Sequence, residues 1–326
     1  MVDFVKRVQL QKLMALGALI LLYVFFSIFG RGFNSMPMTL AILSRSYFVG
    51  FLAIGVTFVI ITGGIDLSIG TVMMCSAVIG GFLFRNGVPL WLCLLIMILI
   101  GTTFGVVNAL LVTKLKLPPF IATLGMMMVS AGLGSIVTNV QAQTFPSPMG
   151  GGENAWFARV FIRDGDLPTG VFFLAGYLII TLIILKKTKL GRYTYAIGSN
   201  EEAVRLSGVN ASNWKMLPYI ISGFSAGLAS IFFAAAYFVI TPGIGQGFEL
   251  DAIAATVIGG TSLAGGVGSV TGTIIGVFIM SVLAVGLVSM NLPTPYQVFL
   301  AGVVVIGAVF MDIQRTNKAN QVKKEK

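Results

Sequence analysis

Four ionisable residues lie within or beside apolar segments and are the first candidates for chemistry: Arg45, Asp66, Glu249 and Asp251. Ionisable groups inside a membrane can relay protons or ions. All four fall near the predicted ends of apolar segments rather than at mid-span, which favours structural roles. We predict that Asp66 and Asp251 each cap the helix that follows. Arg45 is predicted to extend its long side chain to the membrane interface.

Other side chains capable of catalysis or metal binding are scarce. The chain has no histidine and only two cysteines, Cys75 and Cys93, which stand apart in apolar runs. This composition excludes histidine-based acid–base catalysis and Ser-His-Asp triads, and predicts neither a disulfide framework nor a metal site. The glycine-rich residues 260–268 lack the lysine of an ATP phosphate loop. We therefore expect no catalytic residue, metal or cofactor in this chain.

One polar segment carries the signals of a short, capped helix. Asn200 is a favourable N-cap, Glu201 and Glu202 fall in the first turn, and Gly208 is a C-terminal stop. These signals predict a helix over residues 201–207. Such a helix can dock on a partner protein, and the alternative is an ordinary solvated helix at the membrane. The candidate docking residues are Asn200, Glu201, Glu202, Ala203, Arg205, Leu206, Ser207 and Gly208.

Two glycine-rich stretches resemble each other. Residues 63–70 read Gly-Gly-Ile-Asp-Leu-Ser-Ile-Gly, and residues 259–266 read Gly-Gly-Thr-Ser-Leu-Ala-Gly-Gly. Each stretch separates two apolar runs. Internal repeats with glycine-interrupted segments are common in membrane transport proteins, and a chance match of a glycine-rich pattern is the alternative.

Apolar runs of membrane-spanning length position these residues. Hydrophobic residues make up 56% of the chain and charged residues 10%, whereas a soluble domain is about a quarter charged. We predict an all-α integral membrane protein, a single transmembrane domain over residues 1–326, with about ten spans of roughly 20 residues. The predicted spans are residues 13–29, 41–62, 70–84, 90–112, 120–139, 169–185, 217–240, 252–265, 270–289 and 296–312. The eighth runs into glycines, which predicts a broken or re-entrant helix.

The distribution of lysine and arginine predicts the orientation. With the N-terminus inside, 16 of the 21 basic residues fall in inner segments and 5 in outer ones. Because basic residues concentrate on the cytoplasmic side, both termini are predicted to be cytoplasmic. Residues 140–168 then form an outer loop and residues 186–216 an inner loop. The same rule accounts for the net charge of +10, so no nucleic-acid partner is expected.

Four motifs follow one another along nearly the whole chain. They are Gly-Gly-Ile-Asp-Leu-Ser at 63–68, Pro-Phe-Ile-Ala-Thr-Leu-Gly at 119–125, Gly-Arg at 191–192 with Tyr-Ala-Ile-Gly at 195–198 and Leu-Ser-Gly-Val at 206–209, and Glu-Leu-Asp-Ala-Ile-Ala-Ala at 249–255 with the glycine-rich 259–266. In this order they resemble the signatures of the permease subunits of bacterial ribose- and galactose-type simple-sugar ABC importers. The outer loop matches that pattern least.

The resemblance implies a set of partners and a location. A cytoplasmic ATP-binding subunit would bind residues 200–208 and carry out ATP hydrolysis, so this chain would not itself be an enzyme. An extracytoplasmic sugar-binding protein would deliver the substrate. A second permease copy, either identical or a sister chain, would pair with this one in the lipid bilayer of the bacterial cytoplasmic (inner) membrane.

A sugar route needs side chains that exchange hydrogen bonds with hydroxyl groups. The candidates are Asp66, Asn108, Thr123, Thr256, Thr261 and Ser262. For serine and threonine, the alternative is a hydrogen bond to the backbone of their own or a neighbouring helix. Three other functions stay open from the residues: a gradient-driven secondary carrier, a permease for a sugar-like signalling molecule, and a passive pore. The motifs do not distinguish one sugar from another.

Overall fold

The computed structural model describes residues 2–147, 153–243 and 245–324, which form helices and one pair of very short strands. The elements in chain order are α1 (Val2–Phe29), α2 (Met36–Ile61), α3 (Ile69–Arg85), α4 (Leu90–Thr113), α5 (Pro119–Thr138), β1 (Gln143–Thr144), α6 (Trp156–Phe161), α7 (Gly170–Lys187), α8 (Lys189–Ser199), α9 (Glu201–Leu206), α10 (Ala211–Tyr237), β2 (Val239–Ile240), α11 (Phe248–Ile258), α12 (Val270–Ser289) and α13 (Thr294–Lys324). Strands β1 and β2 pair antiparallel.

Seven helices in the described residues are long and apolar enough to cross a membrane: α2, α4, α5, α7, α10, α12 and the first part of α13. The apolar part of α1, over Leu13–Phe29, and the whole of α3 are shorter apolar helices. Helix α11 has only 11 residues. The chain is therefore a helical, multi-pass membrane protein, in agreement with its composition.

Helix α2 is the centre of the bundle. In its most apolar stretch, 89% of the residues are buried by the rest of the chain, against 39% in α4 and 28% in α5 and α7. Helices α10, α11 and α12 all pack against it. An apolar helix buried by protein on every side is a core element, whereas α5, α7 and α13 leave apolar faces to their surroundings.

Glycines, among them Gly101 and Gly105 of α4, let α4 and α10 pack closely. A Cβ atom added to Gly101 would lie 2.5 Å from the backbone oxygen of Gly223. A Cβ on Gly105 would lie 2.9 Å from the Gly223 Cα. Small residues permit such contact between helix backbones in membranes, where dispersion replaces the hydrophobic effect as the packing force.

The predicted break in the eighth segment is present. Helix α11 ends at Ile258, and the chain stays non-helical until α12 begins at Val270. A second irregular stretch, residues 62–68, joins α2 to α3. Both stretches are partly buried, with Gly63 and Ala264 exposed, and their buried backbone groups need partners from protein.

The two predicted loops contain more regular structure than the sequence indicates. Residues 140–168 hold β1 and α6, and residues 186–216 hold α8, α9 and the start of α10. Helix α8 was not predicted, because Gly191 and Gly198 weaken helix propensity. Helix α10 begins at Ala211 rather than 217, since the Asn210 side chain accepts a hydrogen bond from Asn213 N and caps the helix earlier.

Candidate functional site

The short helix α9 confirms the predicted capped helix. The Asn200 side-chain oxygen accepts a hydrogen bond from Ala203 N at 2.9 Å. The Lys215 ammonium lies 2.7 Å from a Glu201 carboxylate oxygen and ties α9 to α10. Gly208 adopts a left-handed φ of 81°, which glycine reaches without strain and which ends the segment.

Helix α9 buries one apolar side chain and exposes two others. Ala203 and Leu206 are exposed, and Leu206 is 83% exposed. Val204 is buried instead, in a cluster with Ile197 and Ala211. A helix of six residues has too few apolar positions for its sequence to define one face. Leu206 is therefore an apolar side chain presented to the surroundings.

A groove runs beside α9. Its volume is about 740 Å³, and it lies between the α4–α5 connection and the segment that includes α9 and the start of α10. Lys116, Arg205, Glu201 and Lys215 contribute its charged walls. Arg205 also lies 3.5 Å from Glu202 on the exposed side of α9. The groove and the exposed leucine together form a surface with both charged and apolar features, which suits a protein partner.

Asp66 lies at the centre of a buried polar network and is only 1% exposed. One carboxylate oxygen accepts hydrogen bonds from the backbone N–H and the hydroxyl of Ser68, at 3.0 and 2.7 Å. The other accepts from the Ser222 hydroxyl of α10 at 2.7 Å. The Asn108 amide of α4 donates to the Ser68 hydroxyl at 2.8 Å. The structure thus brings two of the six route candidates, Asp66 and Asn108, into one network.

Asp66 supports the start of α3 but does not cap that helix as predicted. It accepts from the N–H of Ser68, the residue directly before α3, and not from an N–H within the helix. Its hydrogen bond to Ser222 places it beside the middle of α10. The Asn108 side-chain oxygen and the Tyr219 hydroxyl are buried and have no hydrogen-bond partner among the described residues. Ser68, Ser222 and Tyr219 were not singled out from the sequence.

The threonine candidates hydrogen-bond to helix backbone. The Thr123 hydroxyl donates to Pro119 O at 2.9 Å. The Thr256 hydroxyl lies 2.8 Å from Ala252 O of its own helix and 3.2 Å from Ala53 O of α2, and can donate to either. Thr123 and Thr256 therefore follow the alternative reading, in which a threonine hydroxyl in a membrane helix bonds to the backbone of its own or a neighbouring helix.

The last two route candidates lie in the irregular stretch after α11. The Thr261 hydroxyl accepts from Ser269 N at 3.4 Å, within that stretch. The Ser262 hydroxyl donates to the Asp312 carboxylate of α13 at 3.3 Å. The six candidates therefore do not share one hydrogen-bond network in the described part of the chain.

The Asp251 and Arg45 predictions are wrong. Asp251 lies inside α11 and forms an ion pair with Arg45 of α2, with side chains 15% and 21% exposed. The Arg45 guanidinium also lies 5.7 Å from the centre of the Phe248 ring. Arg45 is thus held within the protein rather than extended to the interface. Glu249 acts at the start of α11 instead, because its carboxylate accepts a hydrogen bond from Gly247 N at 2.9 Å.

Three comparisons with known proteins agree with this architecture. A family model described as the permease component of the branched-chain amino acid transport system matches residues 38–309. The ribose import permease protein of Bacillus subtilis is 36% identical over 310 residues, covering 94% of each chain. The fructose import permease protein of Rhizobium meliloti is 35% identical and covers 87% of this chain and 79% of its own.

One solved structure is similar in fold. It is described as an inward-facing conformation of a metal-chelate type ABC transporter, with a TM-score of 0.53. The match covers 92% of this chain and 99% of the other, at 17% sequence identity. At that identity, the similarity concerns the fold alone.

Proposed function

The chain belongs to the permease family whose model matches residues 38–309, and we propose that it is the membrane-spanning subunit of an ABC importer for a simple sugar of the ribose or galactose type. The observation that carries this proposal is the 36% identity to a ribose import permease over 94% of both chains. The description of the family model names amino-acid transport, but relatives that match over most of the chain are named ribose and fructose import permeases. This agreement favours sugar as the substrate class.

The ATP-binding subunit is proposed to bind at residues 200–208. A capped helix with an exposed leucine beside a charged groove supports this role. The driving force for import would then come from ATP hydrolysed in that partner. An extracytoplasmic sugar-binding protein would contact the outer loop, residues 140–168, and a second permease copy would complete the complex.

The proposed topology has ten spans with both termini in the cytoplasm of a bacterium. Adding α1, α3 and α11 to the seven longer apolar helices supports that number. The concentration of 16 of the 21 basic residues in the inner segments supports the orientation in the cytoplasmic membrane. Residues 186–216 are then the cytoplasmic coupling loop.

For the sugar route, Asp66 and Asn108 are the best supported of the six candidates. Their network contains an unpartnered amide oxygen on Asn108 and lies next to an unpartnered hydroxyl on Tyr219, in the described residues. Such atoms can exchange hydrogen bonds with sugar hydroxyls when the bundle opens. The other four candidates have hydroxyls that hydrogen-bond to protein groups, which argues for structural roles: Thr123, Thr256, Thr261 and Ser262.

Reconstitution tests the proposed function directly. Liposomes containing the permease, its ATP-binding subunit and its sugar-binding protein should accumulate labelled ribose or another simple sugar only when ATP is present. Permease alone, given an imposed proton or sodium gradient, should accumulate none. Accumulation driven by the gradient alone would instead identify a secondary carrier, and ATP-independent downhill flux through the permease alone would identify a pore.

A further inference from the structure

The backbones of three segments meet where α8 ends. They are the last turn of α2, the last turn of α8, and residues 259–268, which we call the glycine loop. Gly266 N donates a hydrogen bond to Ile61 O of α2 at 2.8 Å. Gly198 of α8 fits between them so tightly that an added Cβ would overlap the Ile61 carbonyl oxygen and lie 2.5 Å from Gly266 N. Contact at this junction is therefore between backbones.

The glycine loop can take this shape only with glycine at its contact positions. Gly265 and Gly266 have left-handed φ angles of 85° and 72°. A Cβ on Gly265 would lie 2.9 Å from Gly198 O, and one on Gly266 would lie 3.1 Å from Ser199 N. Both the conformation and the space exclude larger residues without local displacement.

A side-chain hydrogen bond adds to the junction. The Tyr195 hydroxyl of α8 donates to Gly268 O at 2.8 Å. Burial raises the pKa of Tyr195, so the phenol remains a protonated donor well above neutral pH. Tyr195 and Gly198 thus hold successive parts of α8 against one loop.

The junction connects the surface helix to the core in a short path. Asn200 is both the C-cap of α8 and the N-cap of α9. On the other side, the glycine loop joins α11 to α12. These helices pack on α2 through a threonine cluster in which the Thr57 hydroxyl lies 3.3 Å from that of Thr256 and 2.8 Å from that of Thr273.

We propose that the glycine loop transmits movement of the coupling helix α9 into the bundle, with Gly198 and Tyr195 as the positioning residues of this contact. The inference rests on the proposed docking of an ATP-binding subunit at residues 200–208. The backbone contact at Gly198 suits this role because glycine has no side chain whose rotamer could change and absorb a displacement. A shift of α8 and α9 must then move the loop, and with it α11 and α12.

Two substitutions test the contact, each with a matched control. Gly198→Ala inserts a Cβ into the junction, and Gly176→Ala in α7 adds one where no atom lies within 4 Å. Tyr195→Phe removes the hydrogen bond to Gly268. Tyr193→Phe in the same helix removes a hydroxyl without a partner in the described residues, and keeps the ring contact with Trp214.

The measurements separate docking from transmission in the reconstituted complex. They are the affinity for the ATP-binding subunit, the rate of ATP hydrolysis, and the number of sugars imported per ATP. Gly198→Ala and Tyr195→Phe should keep that affinity within about twofold. Sugars imported per ATP should fall about tenfold for Gly198→Ala, and about fivefold for Tyr195→Phe, as expected for one lost hydrogen bond. Both controls should match the wild type.

The outcomes distinguish this inference from the proposed function. If the wild-type permease neither binds an ATP-binding subunit nor imports sugar with ATP, the proposed function is wrong. If the wild type works and Tyr195→Phe imports as many sugars per ATP as Tyr193→Phe, the transmission role is wrong. This second comparison decides the matter even if Gly198→Ala fails to fold. Loss of affinity in Tyr195→Phe would also overturn it, because the residue would then belong to docking.

Discussion

The two glycine-rich stretches, residues 63–70 and 259–266, satisfy their backbone hydrogen-bonding groups in different ways. Each contains partly buried, non-helical backbone, in which unpaired N–H and C=O groups are costly. In the first stretch, Asp66 accepts from the Ser68 N–H two residues along the chain. In the second, Ser262 stands at the position of Asp66, and the carboxylate comes from Asp312 of α13, which accepts from Leu263 N at 3.1 Å. The carboxylate therefore belongs to the stretch itself in the first case and to a distant helix in the second.

This difference has a consequence for movement. The first stretch is enclosed by α4 and α10 through Asn108 and Ser222. The second lies against α8 and the end of α2, and depends on α13 for its carboxylate. The stretches also touch, since a Cβ on Gly265 would lie 2.9 Å from Gly63 N. A stretch that contains its own carboxylate suits a fixed support, and one that takes its carboxylate from another helix suits a part that moves against it.

The largest expected effect is that of Asp66→Ala. The substitution leaves three buried donors without an acceptor: the Ser68 N–H, the Ser68 hydroxyl and the Ser222 hydroxyl. Together these losses should lower the free energy of unfolding by about 4 kcal/mol, since each buried donor left without an acceptor costs roughly 1–3 kcal/mol. The apparent Tm in detergent, at one heating rate, is the measurement. Asp66→Asn keeps one acceptor oxygen and should lose about half as much; equal loss in both variants would show that charge, not hydrogen bonding, dominates.

The next effect concerns α11, which leads into the second stretch. Arg45→Met leaves the Asp251 carboxylate without its cation in a largely buried position, which should cost about 3 kcal/mol. The double variant Arg45→Met with Asp251→Leu removes both charges and should recover most of the apparent Tm. Additive losses in the double variant would mean that the pair does not hold α11 to α2.

Asp312→Ala should have a smaller effect and directly tests the contrast between the stretches. Asp312 is only partly buried, so water can replace it as an acceptor for Leu263 N, and the loss should be about 1 kcal/mol. Asp312→Asn serves as the control that retains an acceptor oxygen. An apparent Tm as low as that of Asp66→Ala would remove the proposed distinction between a fixed and a movable stretch.

Sequence reasoning predicted the features that depend on neighbours along the chain. The break after Ile258 and the capped helix at Asn200 arise from local patterns, and both are present. Seven of the ten predicted spans are helices of spanning length in the described residues. Contacts between distant residues had no such signal. The ion pair of Arg45 with Asp251 joins residues 206 positions apart, so neither sequence position indicates the other.

The candidate site also has parts that depend on neighbouring residues, which were predictable, and parts that depend on distant residues, which were not. The capped helix α9, where docking is proposed, was predictable because caps and first-turn carboxylates are properties of one helix. The Asp66 network was not predictable, because Ser222 lies 156 positions away and nothing in the sequence around a serine indicates its hydrogen-bond partner. Helix α8 was missed for a related reason: Gly198 lowers helix propensity, and the backbone contact that requires glycine there is visible only in three dimensions.

The smallest expected effect on global stability is that of Asn200→Ala, at the exposed end of the path from the glycine loop. Loss of the cap should destabilise α9 by about 1 kcal/mol. Since α9 lies outside the core, this opening should be local and leave the apparent Tm unchanged. The Ala203 amide, which donates to the cap, should exchange hydrogen about fivefold faster. Asn200→Asp keeps the acceptor and should exchange like the wild type. A fall in Tm comparable with that of Asp312→Ala would show that α9 is part of the bundle rather than a helix presented for docking.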